Sequence, residues 1–235
     1  MITCNQKGSY KLICGDCTKI IKSMPNNYVN MVLCDPPYGI DFQSSRCKKD
    51  KRKPKIKNDK SPFISFIPLL KRIIKKDSCV MIFTRWDVQQ CFIDCMNSNG
   101  MKIKNVLIWD KVAHGMGDLK TAYGSRYESI LFHSEHDFRF NGKRPTDIVR
   151  CSRVSPSRLV HPNEKPVDLL EQLIEQCTKQ GDIVFDPFMG SCSTGIACVR
   201  TKRKFIGVEL DKHYYNLSCE RMKNEYSQEI EYGEW

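Results

Sequence analysis

Asp186-Pro187-Phe188-Met189-Gly190-Ser191-Cys192-Ser193-Thr194-Gly195 follows the short apolar run Ile183 to Phe185 and opens a helix-length segment. A glycine-bearing turn between strand and helix lets the backbone approach a ligand closely. An acidic residue about 20 positions further on, here Glu209, which is 23 after Asp186, can bind both hydroxyls of a ribose. The pair suits an adenosine-containing cofactor. The dinucleotide fingerprint G-x-G-x-x-G is not present, because the glycines are Gly190 and Gly195 with serine and threonine between them. A cofactor without a pyrophosphate therefore fits better than a dinucleotide.

Asp35-Pro36-Pro37-Tyr38-Gly39 closes a second apolar run, Tyr28 to Cys34. Two consecutive prolines fix φ and remove two N–H donors, leaving a rigid turn whose carbonyls accept, beside a carboxylate and an aromatic ring. Acceptors with a stacking surface suit an amino group on a flat base. Strand tips are where open α/β sheets place such chemistry.

The elements that must position these turns alternate along the chain. Tyr10 to Cys14 and Tyr28 to Cys34 read as buried strands around a helix from Cys17 to Met24. Ser61 to Lys75 sets Phe63, Phe66, Ile67, Leu70, Ile73 and Ile74 on one helical face, with Ser61 and Pro62 as N-cap and first residue. A strand at Cys79 to Phe83, a helix at Asp87 to Met96, and strands at Ile103 to Trp109 and Tyr127 to Phe132 follow. Asp137 to Leu159 reads as irregular, with one hairpin at Phe138 to Gly142. Pro166 opens a helix whose Val167, Leu169, Leu170, Leu173, Ile174 and Cys177 keep amphipathic spacing. The tail repeats strand, helix, strand, helix at Ile183 to Phe185, Thr194 to Thr201, Phe205 to Glu209 and Lys212 to Glu225. The pattern predicts a single α/β domain over 1–235, a Rossmann-like doubly wound, mostly parallel sheet with helices on both faces.

Charge is concentrated. Of a net +11, residues 46–60 carry +7, from nine basic and two acidic side chains. Lys48, Lys49, Lys51, Arg52 and Lys53 in this loop (41–60) are candidates for nucleic-acid phosphates, as are Arg126, Arg139, Lys143 and Arg144. Thirteen cysteines without a repeating spacing argue against a secreted disulfide framework and for a reducing cytoplasm. No apolar run has the length of a signal peptide or membrane span. Cys14-x2-Cys17 lacks a second ligand pair, and His114, His133, His136 and His161 form no H-E-x-x-H pattern, so no metal is expected.

Taken together, Asp-Pro-Pro-Tyr and D-P-F-x-G-S-x-S-T-G resemble the amino-methylating DNA methyltransferases that use S-adenosylmethionine. The order of the two motifs, about 150 residues apart with His161-Pro-Asn-Glu-Lys165-Pro166 before the second, resembles the β-class with its circularly permuted motifs. Gly15-Asp16, Trp109-Asp110-Lys111, Tyr127-Glu128 and Phe205 to Glu209 extend the resemblance over most of the chain.

What the resemblance implies is a class I methyltransferase fold and transfer of a methyl group to the exocyclic N6 of adenine in DNA after base flipping. Asp35 and the Pro36 carbonyl would accept the amino hydrogens, Pro37 would stiffen the turn and Tyr38 would stack on the base. The cofactor would meet Asp16 and Cys17 at its adenine and Glu209 at its ribose. Asp35, Lys165 and the turn containing Asp186, Gly190, Ser191 and Ser193 would hold its methionine part, with Phe188 beside it. Asp before Pro-Pro-Tyr favours adenine over N4 of cytosine. N4-cytosine methylation of DNA, amino-methylation of RNA and a silent nucleic-acid-binding relative are the alternatives. DNA is the expected partner, and β-class relatives are often homodimers. Residues 137–160, where such enzymes carry a target-recognition segment, are few, which implies a short target or loose specificity.

Overall fold

The computed structural model describes residues 2–4, 9–39, 61–114, 120–154 and 164–232. The basic loop with Lys48, Lys49, Lys51, Arg52 and Lys53 lies outside them, as does His161.

Among the described residues nine strands form one sheet in the order β1-β2-β9-β8-β3-β4-β6-β5-β7. In chain order they are β1 (Ile2–Cys4), β2 (Tyr10–Cys14), β3 (Val29–Cys34), β4 (Ile74–Thr84), β5 (Asn105–Asp110), β6 (Tyr127–Ser134), β7 (Ile148–Arg150), β8 (Ile183–Asp186) and β9 (Lys204–Glu209). β1 and β6 run against the rest. The helices are α1 (Cys17–Ser23), α2 (Ile67–Ile73), α3 (Gln89–Ser98), α4 (Val167–Cys177), α5 (Ser193–Arg200) and α6 (Lys212–Tyr232).

Every residue of β3 is buried, as expected of a central parallel strand covered on both faces. Met31 and Leu33 pack with α4, α5 and α6 on one side. Val32 and Cys34 pack with α1, α2 and α3 on the other. The doubly wound fold is thus the one the alternating pattern predicts. Its centre is the contact of β3 with β8, where Met31 lies beside Val184 and Val32 beside Phe185.

Several local expectations are corrected. The helix expected from Ser61 begins only at Ile67, with Phe66 at its N-cap and Pro68 in its first turn. Pro68 takes the place in the first turn expected of Pro62, since its missing N–H would be unpaired there anyway. Ser61 to Phe63 run instead along the Asp35 turn, where Pro62 bridges Tyr38 and the Phe63 N–H donates to the Pro37 carbonyl at 3.1 Å. No hairpin forms at Phe138 to Gly142. Phe138 and Phe140 pack against Phe132, and Asn141 donates to the Glu175 and Thr178 carbonyls at the end of α4. The region read as irregular also contains β7.

Candidate active site

The glycine turn connects β8 to α5 and is held from within. Asp186 accepts the Phe188 N–H at 2.9 Å and the Thr194 hydroxyl at 2.7 Å. Burial pushes its carboxyl up to about 7, against those hydrogen bonds. Cys192, the N-cap of α5, sits at φ 68, a conformation that costs a side-chain-bearing residue energy. Gly207 explains the close approach of β9, since a Cβ there would lie 2.5 Å from the Met189 sulfur.

Glu209 stands over this turn. One carboxylate oxygen accepts the Gly190 N–H at 3.1 Å and the other the Asp211 N–H at 2.7 Å. Burial holds its pKa above the usual carboxylate value. β2 pairs with β9 so that Cys14 lies opposite Glu209, which brings Asp16 and Cys17 to the same edge. Asp16 caps α1 through the Thr18 N–H at 2.8 Å, and burial, followed by the Asp16 charge, pushes the buried Cys17 thiol up to about 12. Phe188 lies edge-on to Phe66, with ring centres 4.9 Å apart. The Ser193 hydroxyl is buried without a hydrogen-bond partner among the described residues.

α6 fastens the turn from outside. Ser218 donates to the Gly190 carbonyl at 2.6 Å, and one nitrogen of Arg221 donates to the Ser191 carbonyl at 2.7 Å. The other guanidinium nitrogen meets Glu164 at 2.7 Å. Glu164 is the neighbour of Lys165, so one arginine ties the glycine turn to the segment that reaches Asp35.

Asp35 follows β3 and is filled on both oxygens: the Tyr38 hydroxyl donates to Oδ1, and Lys165 Nζ donates to Oδ2 at 2.6 Å. Lys165 also meets Glu128 at 3.0 Å, and Glu128 meets Lys111 at 2.6 Å. Two cations and two carboxylates alternate along this chain, so its net charge is zero. Its Lys165 lies 4.9 Å over the Phe83 ring. Burial disfavours charge at Lys165, but Asp35 and Glu128 outweigh it and hold the ammonium above its ordinary pKa. Burial raises the Asp35 carboxyl, with Lys165 opposing it. For Glu128 burial is outweighed by the two lysines, and its pKa is lowered.

Asp16, Cys17, Asp35 to Tyr38, Lys165, Asp186 to Ser193 and Glu209 are thus gathered along one sheet edge, at the carboxyl ends of the parallel strands. Lys165, expected against the cofactor's methionine part, is placed on Asp35 and Glu128. Tyr38 is buried with its hydroxyl on Asp35 Oδ1. Among the described residues no hydrogen bond occupies the Pro36 carbonyl. Arg126 enters β6 at this edge. Arg139, Lys143 and Arg144 do not join it, because β6 is antiparallel and its exit lies at the opposite edge, where Arg139 donates to the Phe138 carbonyl at 2.6 Å. The roles of Glu128, Glu164, Ser218 and Arg221 were not read from the sequence. The signal for Glu128 was a carboxylate at the mouth of an apolar strand; for Arg221 there was none.

Among the described residues no group of three or more His, Cys, Asp or Glu could hold a metal ion, and no helix is long and apolar enough to cross a membrane.

A permuted Rossmann-like sheet with a glycine turn, an acidic residue at the neighbouring strand tip and an Asp-Pro-Pro-Tyr turn on adjacent strand tips defines the methyltransferase class of site. Residues 29–220 match the family model for N6/N4-type DNA methylases, and the chain belongs to that family. It is 28% identical over 253 residues to the DNA adenine methyltransferase YhdJ of Escherichia coli (strain K12), covering 90% of this chain and 82% of that protein. The M1.HpyAVI structure in complex with SAM superposes with a TM-score of 0.68 at 24% identity, covering 90% of this chain and 99% of that one. The cytosine-N4-specific PvuII DNA methyltransferase gives a TM-score of 0.72 at 16% identity, covering 95% and 93%. The last two establish a shared fold.

Proposed function

We propose that this DNA methylase transfers a methyl group from S-adenosylmethionine to the exocyclic N6 of adenine, in the cytoplasm where its DNA lies. The observation that carries the reading is Asp35, a carboxylate held on a strand tip adjacent to the glycine turn by a charge-balanced lysine chain. The cofactor fits the residues present. The unpartnered Ser193 hydroxyl and the Asp186 to Ser193 turn suit its carboxylate and amino groups. Glu209, each of whose oxygens keeps a lone pair, suits the ribose, and Asp16 and Cys17 flank the adenine end. When bound it supplies an electrophilic methyl on a sulfonium.

Asp35 Oδ1 and the Pro36 carbonyl accept hydrogen bonds from the two amino hydrogens of the target, which localises the nitrogen lone pair and stabilises the positive charge that develops as the N–C bond forms and the methyl–sulfur bond breaks; the nitrogen then releases one of those hydrogens as a proton to water. Lys165 fixes Oδ2 and so aims Oδ1. Tyr38 gives up its hydrogen bond to Oδ1 as the base arrives and offers its ring for stacking. Flipping the base out of a duplex costs a few kcal/mol. Register between amine and methyl contributes roughly 7–11 kcal/mol to lowering the barrier. Arg126 supplies positive charge to phosphate in this reading, and Lys48, Lys49, Lys51, Arg52 and Lys53, which lie outside the described residues, are the further candidates that the sequence offers.

The test is incubation with methyl-labelled S-adenosylmethionine and duplex DNA, single-stranded DNA or RNA, followed by nucleoside digestion and mass spectrometry. N6-methyladenine from DNA supports the reading. N4-methylcytosine replaces the base, label confined to RNA replaces the substrate, and cofactor binding without any transfer overturns the enzyme reading.

A further inference from the structure

Asp110, the last residue of β5, organises an exposed edge that the methyl-transfer chemistry does not use. Its carboxylate takes Arg126 in a fork, at 2.6 and 2.7 Å, and Arg150 Nε at 3.3 Å. It also accepts the Val112 N–H at 2.9 Å. The strand register sets Asp110 between Tyr127 and Arg150, so the two arginines arrive from β6 and β7 on either side of one acid. Their side chains are 47% and 71% exposed, and the hydrogen-bonded carboxylate is held well below the usual range, by Arg126 first. The cluster carries two positive charges against one negative, and the nitrogens not engaged with Asp110 are presented to solvent.

A surface ion pair needs one arginine, and an exposed second one adds little stability. What Asp110 does instead is hold two guanidinium groups in fixed directions. Arginine forks match phosphate oxygens, and prior ordering reduces what binding must immobilise. The same acid holds Val112, a β-branched residue, at φ 67, and Val112 remains 45% exposed. A branched side chain in the left-handed region is strained, and such strain gathers at functional surfaces. Nearby apolar surface is also left open. Tyr127 is 40% exposed and Trp86 67%. Thr84 and Ser129 are paired, Trp86 follows the first by two residues and Tyr127 precedes the second by two, so both rings project beyond the same end of the β4–β6 ladder. Glu128, next to Tyr127, shares Lys165 with Asp35, which places this edge beside the acceptor turn.

We propose that this edge is a docking face for the DNA backbone flanking the target nucleotide, with Arg126 and Arg150 gripping phosphate and Val112, Tyr127 and Trp86 packing against the bases or sugars beside it. The proposal rests on DNA being the substrate. Positive charge beside exposed aromatic rings is the combination that nucleic acid complements.

The experiment is fluorescence anisotropy of a labelled unmethylated duplex with the full chain and S-adenosylhomocysteine, over a series of salt concentrations. Arg150→Gln is compared with Lys102→Gln, which removes the same charge from an exposed residue ahead of β5 at the opposite edge. Removing one arginine–phosphate ion pair lowers the slope of log K against log salt by about 0.9. Arg150→Gln is expected to show that decrease and Lys102→Gln the wild-type slope. Val112→Gly relaxes the turn, so a raised melting temperature together with severalfold weaker duplex binding supports the proposal. A wild-type slope for Arg150→Gln overturns it, as does a Val112→Gly variant that binds DNA like the wild type. Wild-type protein that binds no DNA defeats the substrate reading itself.

Discussion

Replacing Lys165 by Met removes the ammonium shared by Asp35 and Glu128 while keeping most of the side-chain volume. Asp35 Oδ2 loses a donor at 2.6 Å and Glu128, among the described residues, keeps Lys111 alone. An adjacent opposite charge lowers a carboxylate pKa by about 1–3 units, and Asp35 is already raised by burial. Its acceptor role requires the ionised form, so activity falls as pH drops through its pKa. Without Lys165 the acid limb of the pH–rate profile therefore moves upward by about 1–3 pH units. At a pH on that limb the rate falls roughly 10- to 1,000-fold, since each unit is a factor of ten there. Much of the loss returns in alkaline buffer, which distinguishes a protonated acceptor from a misfolded site. The assay is single-turnover methyl transfer to DNA from about pH 5 to 10, with thermal melts of the same samples. An acid limb that stays where the wild type has it, at whatever absolute rate, refutes the reasoning.

Two further outcomes follow from buried charge. Asp186 keeps its proton up to about 7 when folded and only to about 4 when unfolded. Its contribution to stability is therefore complete below about pH 4 and is lost as pH rises through 7, by at most roughly 4 kcal/mol. Asp186→Asn removes that dependence, so the melting temperatures of wild type and variant should diverge between pH 5 and 8, the variant being the more stable at the higher pH; parallel curves contradict it. Arg221→Met takes the guanidinium away from Glu164, whose side chain is only 6% exposed, and losing one partner of a buried ion pair costs about 3–5 kcal/mol. Adding Glu164→Gln should restore most of the melting temperature while turnover stays depressed by about tenfold or more, because the turn and Lys165 are no longer tied together; full recovery of turnover would make the arginine merely structural.

The elements that could be read from the sequence are those whose neighbours surround them uniformly. β3 is apolar throughout because both faces are covered, and α4 shows its buried stripe because one face meets the sheet. β1 and β7 are three-residue edge strands, too short for any periodicity, and they exist because β2 and β5 have edges to pair. The two strand-tip turns were legible because rigid proline and glycine geometry is local. The charge chain was not, since Lys165 and Asp35 are 130 positions apart and only the topology joins them. Arg139, Lys143 and Arg144 stand at the other edge of the sheet for a related reason. In a parallel sheet a strand's exit faces the site, but β6 is reversed, so the residues before it, Arg126 and Tyr127, take that place.

The permuted order of the two turns also governs what happens on the ribosome. β3 gains β4 on one flank within about 40 residues, but its other flank waits for β8, about 150 residues later. At synthesis rates of about 5–20 residues per second, that is roughly 8–30 s with an apolar strand edge, Val29 to Cys34, lacking its native neighbour. An unpaired edge of this kind is where nascent chains associate. A strong chaperone requirement, and inclusion bodies when translation outpaces folding, are the outcomes this topology favours.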